Sequence, residues 1–139
     1  HSAAWADGIQ AQCGDETGMA FAAEGGVVQK GKGGWYDDKT TGETVIRLDT
    51  DTGEVDVRFK DASKVWQSVT DAGGKATLWG AADTGSIMIV VGYAGVTVEV
   101  LTLSEIKSTT ATLIHTVSRN ADVMTNSRVM VAQCVMSKY

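Results

Sequence analysis

The chain has no proline in 139 residues, although ordinary usage of roughly 5% would supply several. Its turns must therefore be made by Gly, Asp, Asn and Ser, and 16 glycines are present to make them. Long apolar runs are also missing. The greasiest stretch, Ile87 to Val98, is broken by glycines and falls short of the roughly 20 residues that a membrane-spanning helix needs. Basic residues are in deficit, 12 Lys and Arg against 17 Asp and Glu, and they are scattered. Nucleic acid calls for a basic stripe that displaces phosphate counterions, and an anionic membrane surface calls for a basic cluster. Neither partner is expected.

Cysteine is scarce as well, with only Cys13 and Cys134. Together with His1 and His115 they lack the spacing of a structural zinc site. There is no C-x-x-C, so a thiol redox motif is excluded. A disulfide and a pair of free thiols remain, and the disulfide is the expected state. It would close a loop of about 120 residues, worth about 4–5 kcal/mol through the entropy of the unfolded chain. It also implies an oxidising compartment, so that the protein is expected to be periplasmic or secreted. Ala4-Trp5-Ala6 has the small-x-small form of a signal-peptidase site, without the apolar region that precedes one. Residues 1–6 read as a tag, a signal-peptide remnant or mature chain.

What is present points to strands. Apolar residues at 43% and charged residues at 21% are ordinary for a folded domain, and the length suits one core, so residues 1–139 form a single domain. Abundant Gly, Val and Thr describe short strands and tight turns. Asp7 to Gly18 reads as irregular, with a short helix conceivable over Ser2 to Gln12. Met19 to Lys30 reads as two short strands or one bent strand, and Gly31 to Gly42 as a glycine-rich loop with Trp35 and Tyr36 at its tip.

Three hairpins follow. In Glu43 to Phe59, Val55, Val57 and Phe59 alternate with Glu54, Asp56 and Arg58. Leu48 opposite Val55 then puts Ile46 opposite Val57 and Arg47 opposite Asp56. A slip by one residue would set Leu48 against Asp56. Val65 to Ala81 reads as a hairpin turning at Asp71-Ala72-Gly73-Gly74, with Trp66 opposite Trp79. Ile87 to Val100 reads as the central hairpin, turning at Gly92-Tyr93-Ala94-Gly95. Val91 opposite Val96 would put Ile87, Ile89, Val91, Val96, Val98 and Val100 on one buried face, and Met88, Val90, Thr97 and Glu99 on the other. Leu101 to Leu103 continues its second arm. Further strands are expected over Thr110 to Val117 and Arg128 to Met136. The expected fold is all-β, an antiparallel meander of about 8–10 short strands closing into a small barrel or a two-sheet sandwich. The disulfide would join its ends.

Motifs with chemistry are few. Asp49-Thr50-Asp51-Thr52-Gly53 fails as a calcium loop, with Gly at the fifth position and Lys60 at the twelfth, and reads as a hairpin turn. Gly31-Lys32-Gly33-Gly34 lacks the phosphate-loop pattern. No cofactor or metal site is expected. Trp35, Tyr36, Asp37 and Asp38, aromatics beside carboxylates on a glycine-rich loop, suit a protein or carbohydrate partner. Alternatively, Trp35 folds back to cap the barrel end. Trp66, Trp79 and Tyr93 would pack the core or line a pocket for a small apolar ligand. His115 shares an apolar face with Ala111, Leu113 and Val117 and has no nucleophile paired with it in sequence. A hydrolase or isomerase using His115 would require a carboxylate or hydroxyl within hydrogen-bond reach, in a cleft. The leading expectation is a non-enzymatic exported binding domain that recognises its partner through loops.

Overall fold

A computed structural model describes residues 8–82, 85–121 and 124–138. Its strands are β1 (Gly8–Cys13), β2 (Glu16–Ala22), β3 (Gly34–Thr40), β4 (Glu43–Asp49), β5 (Val55–Lys60) and β6 (Trp66–Ser68). They continue with β7 (Lys75–Ala81), β8 (Ile87–Tyr93), β9 (Thr97–Ser104), β10 (Thr110–Asn120) and β11 (Thr125–Lys138). No helix occurs among the described residues, so no helix there is long and apolar enough to cross a membrane. Residues 1–6, with their tag or signal reading, lie outside the described residues.

The all-β antiparallel expectation is met. One sheet in the order β6-β5-β4-β1-β11-β10-β9-β8-β7 curls into a half-barrel, and β2 and β3 branch from β11. β10 pairs with β11 from Thr110–Val135 to Asn120–Thr125. The opposite side of β11 is shared. Its C-terminal half takes β1, with Cys13 facing Cys134, and its N-terminal half takes β2, with Thr17 facing Val131. The Cys13–Cys134 disulfide joins these facing residues, whose Cα atoms are 4.0 Å apart, and it is buried in the core.

Those two registers differ by one residue. Four steps along the N-terminal segment, from Cys13 to Thr17, span three steps along β11. Gly14 and Asp15 therefore form a β-bulge, which breaks the in–out alternation of a strand. Without it, Cys13 and Glu16 would point to opposite faces; with it, both are buried. The neighbouring segment answers with an extra residue at Thr41–Gly42, and the Gly42 N–H donates to Asp15 Oδ1 at 2.9 Å. Gly18 is needed just beyond the bulge, because a Cβ there would stand 1.9 Å from the Val129 carbonyl oxygen.

The hairpin Glu43 to Phe59 has the expected register, Ile46 with Val57, Arg47 with Asp56 and Leu48 with Val55. Four other expectations are corrected. Asp7 to Gly18 is not irregular from Gly8 onward, because Gly8 to Gln12 and Glu16 to Ala22 find partners in β11, β4 and β3. The presumed loop carrying Trp35 and Tyr36 is strand β3, held by β2 from Gly34–Ala22 to Thr40–Glu16. Trp66 does not face Trp79: β6 folds back on β5, with Trp66 opposite Lys60, and β7 pairs with β8. The Lys60 ammonium lies 5.0 Å from the centre of the Trp66 ring, a cation–π contact that favours this partner. Val69 to Gly74 forms a turn, with the Gly74 N–H donating to the Val69 carbonyl.

The fourth correction concerns the central hairpin. β8 pairs with β9 as Ile87–Leu103, Ile89–Leu101, Val91–Glu99 and Tyr93–Thr97. The connection is the three-residue loop Ala94-Gly95-Val96, with Gly95 at φ 76°. A three-residue hairpin loop requires such a left-handed position, and glycine supplies it without steric cost. Val96 therefore belongs to the turn, and every residue of β9 changes face. Val98 is exposed, Leu101 and Leu103 enter the core, and Thr97 is buried. Glu99 joins Val91 and Leu101 on the inner face.

Candidate functional site

Two irregularities thus turn two glutamates inward, the bulge for Glu16 and the Gly95 turn for Glu99. His115 stands between them on β10. It faces Leu101 of β9 on one side and Met130 of β11 on the other. Glu99 lies two residues from Leu101 on the same face, and Gly18 of β2 faces Met130, with Glu16 two residues away. His115 Nδ1 is 2.7 Å from Glu16 Oε2, and His115 Nε2 is 2.5 Å from Glu99 Oε1. Three strands are thus tied by one imidazole.

His115 is only 9% exposed. Burial alone would push its pKa down. The hydrogen bonds to Glu16 and then Glu99, reinforced by their charges, outweigh burial and hold it up at about 9. At neutral pH the ring is an imidazolium that donates from both nitrogens, which leaves no lone pair for a general base. The expected carboxylate within reach of His115 is present twice over, in an arrangement suited to holding charge.

A histidine raised from 6.5 to about 9 on folding binds more protons folded than unfolded between those pH values. Its stabilisation is complete below about pH 6.5 and is lost as pH rises through about 9. The shift corresponds to about 3 kcal/mol. Denaturant melts over this range should show stability falling as pH rises; a flat profile would refute the ion triad.

The triad opens on a cavity of about 270 Å³ inside the half-barrel. Val57, Phe59, Val69 and Leu101 give it apolar walls, and Tyr93, Lys60 and Arg128 border it with the triad. Burial, and then the negative charge of Glu99, raise the Tyr93 pKa, so the phenol keeps its proton. Arg128 Nη1 reaches Asp38 Oδ2 at 3.4 Å, and Lys60 pairs with Glu43. Among the described residues no group of three or more His, Cys, Asp or Glu is arranged to hold a metal ion.

The sequence candidates are dispersed. Tyr93 lines the cavity, and Asp38 supports it through Arg128. Trp35 is 70% exposed and lies edge-on to Phe21, with ring centroids 5.3 Å apart. It shares the outer face with Asp37, whereas Tyr36 and Asp38 follow Ala20 and Gly18 on the inner face. Trp66 and Trp79 are exposed and do not line the cavity. Glu16 and Glu99 were not among the sequence candidates. For Glu99 a signal existed: it shares strand parity with Leu101 and Leu103, whose burial would have turned it inward. For Glu16 the bulge hides any such signal.

Comparison with protein-family models, curated proteins and solved structures returns no match.

Proposed function

We propose that the chain is a non-enzymatic binding protein that takes a small ligand in the concave cleft of its half-barrel. The observation that carries this reading is the Glu16–His115–Glu99 triad, with Glu16 and His115 buried and Glu99 partly so, facing a cavity with apolar walls. A few fixed polar groups in a mostly apolar concavity are the usual composition of a ligand site. Buried ionisable groups with displaced pKa values cluster at such sites. A hydrolase or isomerase based on His115 fits less well, because both ring nitrogens are occupied. The Cys13–Cys134 disulfide supports an oxidising, periplasmic or secreted location.

Screening a library of small polar and apolar molecules by amide chemical-shift changes tests this reading. Binders should perturb Tyr93, Glu99, Leu101 and His115. Binders that act only at Trp35 or Trp79 would contradict it.

A second reading rests on the outer surface, where exposed Trp35, Phe21 and Met19 lie together on β2 and β3. Exposed aromatics there suit a protein partner. A Trp35→Ala, Phe21→Ala double variant that kept full affinity for a captured partner would exclude it.

A further inference from the structure

We propose that the cleft binds the ammonium end of a small organic amine, seated against Glu99 and Tyr93, with the apolar body against Val57, Phe59 and Leu101. This rests on the cleft being a ligand site. The charges on its inner face do not balance. Asp38 and Arg128 form one pair, while Glu16 and Glu99 share the single imidazolium of His115. At the rim Lys60 is engaged by Glu43, which also accepts from Gln12 at 2.9 Å. On the inner face one negative charge is therefore left over beside apolar walls, where an uncompensated charge is costly, while Asp61 at the rim is exposed and accepts from the Ser63 N–H.

The surplus has a definite end. The side chain of Glu16 is 8% exposed and that of Glu99 is 21% exposed. Glu16 Oε1 lies 3.5 Å from the Thr40 hydroxyl, whereas His115 engages only Oε1 of Glu99 and no other described residue donates a hydrogen bond to Oε2. Tyr93 borders the same end of the cleft, fixed by the close approach of Gly74, where a Cβ would stand 2.6 Å from the ring. A protonated phenol and a carboxylate oxygen both accept from an ammonium. An anionic ligand would meet two carboxylates, and both cationic side chains at the cleft are already engaged. The cleft, with a volume of about 270 Å³, has room for the body of a short amine.

The test is calorimetric titration near neutral pH with n-hexylammonium, n-hexanol and n-hexanoate, each paired with chemical-shift mapping. Hexylammonium should bind about tenfold or more tightly than either of the others, as one charge-assisted hydrogen bond implies, and its shifts should map to Tyr93, Glu99 and His115. Glu99→Gln should lower that affinity by about tenfold. If Glu99→Gln fails to fold, the selectivity of the unaltered chain decides. Hexanol binding as tightly as hexylammonium, or hexanoate binding most tightly, would overturn the amine and leave the cleft as a ligand site. No binding of any probe at about 10 mM, far weaker than a 1 mM Kd, or binding mapped away from the cleft, would overturn both.

Discussion

Replacing His115 with leucine should destabilise the chain by about 3–5 kcal/mol, the cost of removing one partner from a buried ionic cluster. The substitution conserves most of the ring's bulk, so little of the loss comes from a cavity. It comes from Glu16 and Glu99, which would face the same interior without the imidazolium that now donates to both at 2.7 and 2.5 Å. Two carboxylates left together resist joint ionisation, and one must take up a proton or move out to water. The pH dependence above neutrality should vanish in this variant. The triple change Glu16→Met, His115→Leu, Glu99→Met should recover much of the loss, since apolar groups of similar volume often replace a buried ion cluster without cost. Guanidinium denaturation measures all three chains. A loss below about 1 kcal/mol in His115→Leu, within the range of exposed pairs, would show that the triad is not a buried cluster.

Removing the disulfide by Cys13→Ala with Cys134→Ala should cost about 4–5 kcal/mol. The bridge spans 121 residues of sequence, so breaking it releases nearly the whole described chain in the unfolded state. The loss should come with a larger denaturant m-value, because an unfolded chain without the bridge exposes more surface. Locally the effect should fall on β1, which lies between β11 and β4 and carries β4, β5 and β6 outward from it. Hydrogen exchange should therefore accelerate in β1, β4 and β5 before β9 and β10. Uniform acceleration, or a loss below about 1 kcal/mol, would mean that the sheet holds these strands without the covalent link.

How much of this was legible in the sequence depended on how strongly each pattern penalised its alternatives. The hairpin of β4 and β5 was readable because a slipped register would bury Asp56 or Arg58. The disulfide was readable because so few other uses of two distant cysteines were open. The β8–β9 register was not fixed by pattern. Val96, Val98 and Val100 offer as good an apolar face as Leu101 and Leu103, so a slip costs little in hydrophobic terms. The turn decided, through the left-handed backbone at Gly95. The same holds for Glu16, whose inward direction depends on the bulge at Gly14 and Asp15. The tryptophan pair failed for a different reason: Trp66 found a nearer partner in Lys60. The site therefore arises at the irregular positions of the sheet, where alternation says least about which way a side chain points.

The chemistry of the cleft depends on His115 being a doubly hydrogen-bonded imidazolium held between Glu16 and Glu99. The most direct measurement is a nuclear magnetic resonance titration of the His115 ring carbons in the intact chain. A midpoint of about 9 is expected, with both ring N–H protons observable at neutral pH. A midpoint at or below the ordinary histidine value of about 6.5, with only one ring nitrogen protonated at neutral pH, would contradict it.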